Sequence, residues 1–171
     1  EKKHVNERIW NKKADVWKET ANHQKSILNR LGWLFALDNG SIDRERLSAL
    51  QAEAKNFAHV VLLGMGGSSL APEVFSLVFG PQDGYPELLV LDSTDPARVK
   101  TVHDSVDLSK TLFIVASKSG STLETDSFRR YFFAQVGAAV GTDKAGQHFI
   151  AITDEGSQLA EIAQNDNYRH V

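Results

Sequence analysis

The stretch His59-Val60-Val61-Leu62-Leu63-Gly64-Met65-Gly66-Gly67-Ser68-Ser69 decides the fold. Val60 to Leu63 is a short, unbroken apolar run, as expected of a parallel strand covered on both faces. It breaks directly into a Gly-rich turn and then into a helical pattern. The same grammar recurs downstream, where Thr111-Leu112-Phe113-Ile114-Val115-Ala116 runs into Ser117-Lys118-Ser119-Gly120-Ser121-Thr122 and another helical pattern. Working outward, strands are expected near 59–63, 88–92, 111–116 and 147–152, and helices near 70–79, 96–103, 122–139 and 156–164. Strand and helix in alternation imply an α/β fold, a doubly wound parallel sheet with strand order 2-1-3-4-5.

Upstream the pattern changes. Residues 4 to 31 place Ile9, Trp10, Ala14, Trp17, Ala21, Leu28 and Leu31 at spacings of three, four and seven, one face of a helix, with Gly32 as its stop. A second helix is expected from Asp43 to Asn56, capped by Ser41 or Asp43. The expected organisation is an N-terminal helical segment over 1–57 and a sheet domain over 58–171. The last residues, 167–171, read as the approach to a fifth strand, and from this the chain is expected to be a piece of a longer polypeptide.

Composition narrows the function classes. With 171 residues, 42% hydrophobic and 24% charged, the chain suits one domain, or one domain plus a helical segment. A net charge of −3 gives no reason to expect nucleic acid. No apolar run is long enough for a bilayer, and Glu1-Lys2-Lys3-His4 opens no signal segment, so the expectation is no membrane and a cytoplasmic setting. Cysteine is absent, and the six His form no HxH or HxxxH pair, so neither a metal nor any other cofactor is expected.

The two loops converge. In the expected topology strands one and three are neighbours at the switch point, and ligands bind in the crevice outside their carboxyl ends. Backbone N–H groups, Ser and Thr hydroxyls and helix N-termini gathered at one point suit a phosphate dianion. Lys118 is the only formal positive charge in either loop. The same residues admit other readings. Gly64, Gly66 and Gly67 resemble a dinucleotide-binding turn, although Ser69 stands where the third Gly belongs and Asp92 follows later than that fingerprint requires. Ser121 and Glu124 fit a capping box. Ser68 sits in no GxSxG elbow. His59, His148 and His170 fall at strand starts, away from the crevice, and no acid and base pair emerges among Asp92, Asp95, Glu124 and Asp154.

Ser117 to Thr122 has the Ser-x-Ser-Gly-x-Thr form of the sugar isomerase (SIS) superfamily, whose sheet is flavodoxin-like. The strings SKSGSTLET (117–125) and GMGGSSLAP (64–72) together resemble the phosphoglucose isomerase family. Arg8-Ile9-Trp10, Ala14 to Trp17 and Asn29 to Leu34 are similar to the isomerase part of fused bacterial transaldolase/phosphoglucose isomerase proteins, and Asp92 to Pro96 and Ile152 to Asp154 fit that group. The resemblance implies reversible conversion of glucose 6-phosphate to fructose 6-phosphate through a cis-enediol. It further implies phosphate contacts by Gly67, Ser68, Ser117, Lys118, Ser119 and Thr122, with Glu124 near the sugar. The family's base, ring-opening and enediolate-stabilising residues have no match here, so no catalytic residue is assigned, and Glu124 is the first to test for such a role. Ser119-Gly120 departs from the Thr-Phe of many relatives. The partners expected are a sugar phosphate, the rest of a longer polypeptide and a second copy in a homodimer. Two alternatives stay open, a non-catalytic sugar-phosphate sensor and the isomerising domain of an amidotransferase-type enzyme.

Overall fold

A computed structural model describes residues 4–36 and 42–171, and the chain divides into two units, Glu1–Leu47 and Ser48–Val171. In the first unit the single helical face expected over 4–31 is broken into separate pieces. Helix α1 (Val5–Trp10) ends because Lys12 adopts φ 53, the left-handed conformation that closes a helix, with Lys13 N–H donating back to Arg8 O at 2.9 Å. A 3-10 turn (Ala14–Val16) and α2 (Ala21–Leu28) follow. Gly32 does not stop a helix. It opens a second 3-10 turn (Gly32–Phe35), four residues after α2 has ended. The apolar spacing was therefore a property of several short pieces: Ala14, Leu31 and Leu34 are buried, and Trp10 meets Phe35 edge-on at 6.4 Å.

Helix α3 (Arg44–Ala54) crosses the boundary between the units. Asp43 caps it, its Oδ1 accepting from Arg46 N–H at 2.9 Å, while Ser41 lies outside the described residues.

The second unit alternates as expected: β1 (His59–Gly64), α4 (Gly67–Phe79), β2 (Glu87–Leu91), α5 (Pro96–Ser105), β3 (Thr111–Ala116), α6 (Leu123–Val140), β4 (Phe149–Ile152) and α7 (Gln158–Asn165). The four strands are all parallel in the order β2-β1-β3-β4. Strand β4 starts later than 147 because Ala145–His148 form a 3-10 turn. Where a fifth strand would lie, His170 makes a single parallel bridge to Ile150, and Ala151 N–H donates to His170 O at 3.0 Å. Nearby, Glu53 accepts from Arg169 Nη1 at 3.1 Å and contacts His170 Nε2 at 3.1 Å.

Side chains alternate across the sheet, and the two faces differ. Val61, Leu63, Phe113, Val115, Phe149 and Ala151 face a core completed by Val102 of α5, Phe128, Phe132 and Val136 of α6, and Leu159 and Ala163 of α7. Phe113 sits 4.9 Å from Phe132 and 5.1 Å from Phe149, ring centre to ring centre. The opposite face carries Val60, Leu62 and Leu112, and right-handed crossovers place α4 there. Helix α4 packs on β1 and β2, yet Leu70, Val74, Phe75, Leu77, Val78 and Phe79 remain 51–79% exposed. Among the described residues no helix is long and apolar enough to cross a membrane.

Candidate functional site

Gly64 and Ala116 are register partners on neighbouring strands, so the loops leaving β1 and β3 begin about 5 Å apart. Each runs straight into a helix N-terminus. In the first loop Gly66 takes φ 54 and ψ −121, a conformation that side chains disfavour. Ser69 is fully buried and its Oγ donates to Gly66 O at 3.0 Å, which holds the turn closed. Gly67, exposed, is the first residue of α4, and Ser68 beside it is half-buried. Gly64 lies so close to this turn that a Cβ there would stand 3.2 Å from Ser68 Cβ and 3.3 Å from Ala116 O.

The second loop is anchored from below and open above. Ser117 is buried, its N–H donating to Ile152 O at 3.0 Å and its Oγ to Thr122 Oγ1 at 3.0 Å. Lys118 O accepts from Asp154 N–H at 3.0 Å and from Thr153 Oγ1 at 3.3 Å. Gly120, at φ 69, lies against the start of α7: a Cβ there would meet Leu159 N at 2.7 Å and Ser157 at 2.9 Å. The side chains of Lys118 and Ser119 are exposed, and Ser119 and Ser121 share a hydroxyl hydrogen bond of 3.0 Å.

The capping box expected at Ser121 and Glu124 does not form. Helix α6 starts one residue later with Thr122 at its N-cap and no side-chain cap, because Ser121 Oγ is paired with Ser119 and Thr122 Oγ1 with Ser117. The N–H groups of Leu123, Glu124 and Thr125 have no acceptor among the described residues. Helix α4 likewise has no side-chain cap. The neighbouring crossover helices are different. Asp95 caps α5 through Ala97 N–H at 2.7 Å, and Ser157 caps α7 through Ala160 N–H at 3.1 Å. In α4 the N–H groups of Ser68 and Ser69 donate to Met65 O and Gly66 O, both at 3.1 Å, which leaves Gly67 N–H without an acceptor among the described residues. Both N-termini carry the positive end of a helix dipole, so the concavity between them on adjacent strand ends suits an anion.

Charges around the concavity are mixed. Lys118 supplies a cation, and Glu124 and Asp126 lie in the first turn of α6. Asp126 is committed elsewhere, accepting from Arg129 Nε at 2.8 Å and Arg130 Nε at 2.6 Å. Burial pushes its carboxyl up, but the two guanidinium hydrogen bonds outweigh this and hold it below the ordinary carboxylate value. Arg129, buried, also reaches Asp166 Oδ2 at 3.4 Å, tying α6 to the residue that ends α7.

A cavity of about 570 Å³ lies in the groove between α5 and α6, lined among others by Thr94, Lys100, His103, Tyr131 and Gln135. Two of its polar groups are already paired, Lys100 with Asp104 and His103 Nδ1 with Tyr131 OH at 3.1 Å, whereas at the loops the N–H groups of Gly67, Ser119, Leu123 and Glu124 have no acceptor among the described residues. His59 opens β1, and His148 precedes β4, both at the end of the sheet opposite the loops. Among the described residues no cluster of three or more His, Asp and Glu could hold a metal ion.

Ser117, Lys118, Ser119 and Thr122 thus fall on the loop that leaves β3, Gly67 and Ser68 are the first two residues of α4 after the neighbouring loop, and Glu124 is the second residue of α6. Sequence reasoning did not single out Thr153 and Ser157, which brace the second loop. The available signal was topological: β4 lies beside β3, so the residues leaving it must meet the Ser117 loop.

The sequence pattern of the family described as phosphoglucose isomerase matches residues 48–169. A probable glucose-6-phosphate isomerase of Methanococcus maripaludis is 30% identical over 86% of this chain and 33% of its own length. The glucose-6-phosphate isomerase of a Chelativorans species is 33% identical over 68% of this chain and 21% of its own. The chain therefore spans between about a fifth and a third of these relatives. Among solved structures, a hypothetical protein of Thermus thermophilus, TT0462, superposes with a TM-score of 0.77 at 24% identity, over 96% of this chain and 37% of that one, a likeness of fold alone. A glucose-6-phosphate isomerase of Chlamydia trachomatis superposes with a TM-score of 0.65 at 26% identity, over 95% of this chain and 29% of that one. With the family pattern covering most of the sheet-bearing unit and the fold repeated in a named isomerase, the chain belongs to the phosphoglucose isomerase family.

Proposed function

We propose that the two loops hold the phosphate of a sugar phosphate, and that the chain supplies this recognition to a glucose-6-phosphate isomerase, which interconverts glucose 6-phosphate and fructose 6-phosphate through a cis-enediol. One observation carries the reading: the helices after β1 and β3 start side by side without side-chain caps, while their neighbours α5 and α7 are capped. Gly67 and Ser68 contact the phosphate from one side, and Ser117, Lys118, Ser119 and Thr122 from the other, with Glu124 toward the sugar. A phosphate held this way fixes a substrate without moving a proton. Proton transfer is assigned to groups beyond these loops, because the loop side chains are hydroxyls and one ammonium and the His at strand starts lie at the far end of the sheet. The sensor and amidotransferase readings are not favoured, since the named relatives are glucose-6-phosphate isomerases. We further propose that the polypeptide which the longer relatives carry covers the exposed α4 face.

Calorimetric titration with fructose 6-phosphate tests the phosphate reading. Lys118→Ala is expected to weaken binding about tenfold or more, since a charge-assisted contact contributes about 1.5–3 kcal/mol, and Thr122→Val about fivefold. Equal and negligible effects would remove Lys118 from the phosphate.

A further inference from the structure

The route by which the Ser117 loop is held to β4 assigns a role to a residue outside both loops. Ser157 Oγ accepts from Ala160 N–H at 3.1 Å, Thr153 Oγ1 lies 2.7 Å from Ser157 Oγ, and Thr153 Oγ1 lies 3.3 Å from Lys118 O. A carbonyl only accepts, and each hydroxyl has one proton. The arrangement that uses each proton once has Ser157 donating to Thr153 and Thr153 donating to Lys118 O. Asp154 N–H, at 3.0 Å, donates to the same carbonyl. The chain of bonds begins at the N-terminus of α7 and ends on the phosphate loop, each bond polarising the next.

The consequence lies on the other side of the peptide. The bond between Lys118 and Ser119 is trans, so a carbonyl drawn toward β4 turns the Ser119 N–H the opposite way. Because the strands run β1-β3-β4, that way is toward β1 and the Gly64 loop. The Ser119 N–H has no acceptor among the described residues. We propose that Thr153 is a positioning residue for anion recognition: by fixing the Lys118 carbonyl it aims the Ser119 N–H into the concavity between the two loops. Gly120 serves the same geometry, since its missing Cβ lets the loop lie within reach of Ser157.

The inference rests on the phosphate reading of the loops, and one titration separates the two. Inorganic phosphate is added to the ¹⁵N-labelled chain while the Ser119 amide is followed by NMR. In the wild type this amide shifts downfield and saturates. Thr153→Val, which keeps the shape and removes the donor, binds phosphate about three- to tenfold more weakly and shows a smaller Ser119 shift at saturation, while Thr153→Ser restores both to within about twofold. Thr153→Ala takes the place of the Val variant if the latter does not fold. The proposal is overturned if the wild type binds and the hydroxyl-free variant binds equally well with its Ser119 shift intact, or if Thr153→Ser fails to rescue, which would make the methyl group the feature that matters. A wild type with no saturable shift in either loop overturns the phosphate reading itself, and the role of Thr153 with it.

Discussion

Replacing Gly120 by Ala asks whether the Ser117 loop must lie against α7. At φ 69 an L-residue costs about 1–2 kcal/mol for the left-handed conformation alone. The added Cβ would also stand 2.7 Å from Leu159 N, a backbone atom in the first turn of a helix, and 2.9 Å from both Cβ and Oγ of Ser157. Neither neighbour can swing aside, so an overpacking cost of about 1–3 kcal/mol is added. The sum is about 2–5 kcal/mol, or a fall in Tm of about 6–15 °C for a domain of this size. Gly156 is the internal control. It has nearly the same φ, 70, but a Cβ there has nothing within 4 Å, so Gly156→Ala should cost only about 1–2 kcal/mol. Urea unfolding followed by far-UV circular dichroism measures both, an unchanged slope certifying that the midpoint reports stability. If Gly120→Ala is no more costly than Gly156→Ala, the loop does not depend on its close approach to Ser157 and Leu159, and the bracing of the Lys118 carbonyl loses its basis.

Two titrations probe the second unit away from the loops. Tyr168 is buried, and burial pushes its phenol up to about 12 against the opposing pull of Arg129. The unfolded phenol ionises near 10, so this group favours the folded state fully below pH 10 and that contribution is lost between 10 and 12. Absorbance at 295 nm should show one of the three tyrosines ionising late, and three ordinary titrations would contradict it. Glu53 is held below the ordinary carboxylate value, first by its hydrogen bond with His170 and then by Arg169. A depressed folded value stabilises above the unfolded one and is lost as pH falls through it. Wild type should therefore lose stability below about pH 4.5 more steeply than Glu53→Gln in parallel acid unfolding curves; identical curves would refute the pairing.

The strand-and-turn grammar made the sheet legible because a parallel strand covered on both faces has no polar residue to blur it. Val60 to Leu63 and Leu112 to Ala116 fall inside β1 and β3 for that reason. The breaks in the N-terminal segment are not legible in its sequence, because apolar spacing records which residues face inward and is silent about where the backbone turns. Lys12 in a left-handed conformation divides what the pattern joined. The capping box at Ser121 failed for a related reason. A sequence shows that a hydroxyl is three residues before a carboxylate, and the competition from Ser119 and Ser117 appears only once the loop is folded. Thr153 is hidden because its partner, the Lys118 carbonyl, belongs to the backbone and is 35 residues away, and Ser157 because it reaches that carbonyl only through Thr153.

The measurement that bears most directly on the two loops is a crystal structure of the chain soaked in phosphate or sulfate. The expected result is an anion between the Gly64 and Ser117 loops, accepting from the N–H groups of Gly67, Ser119, Leu123 and Glu124, with Lys118 turned toward it. An anion bound most strongly elsewhere, in the groove between α5 and α6 for example, with nothing between the loops at the same concentration, would contradict the assignment of a phosphate site to these two strand ends.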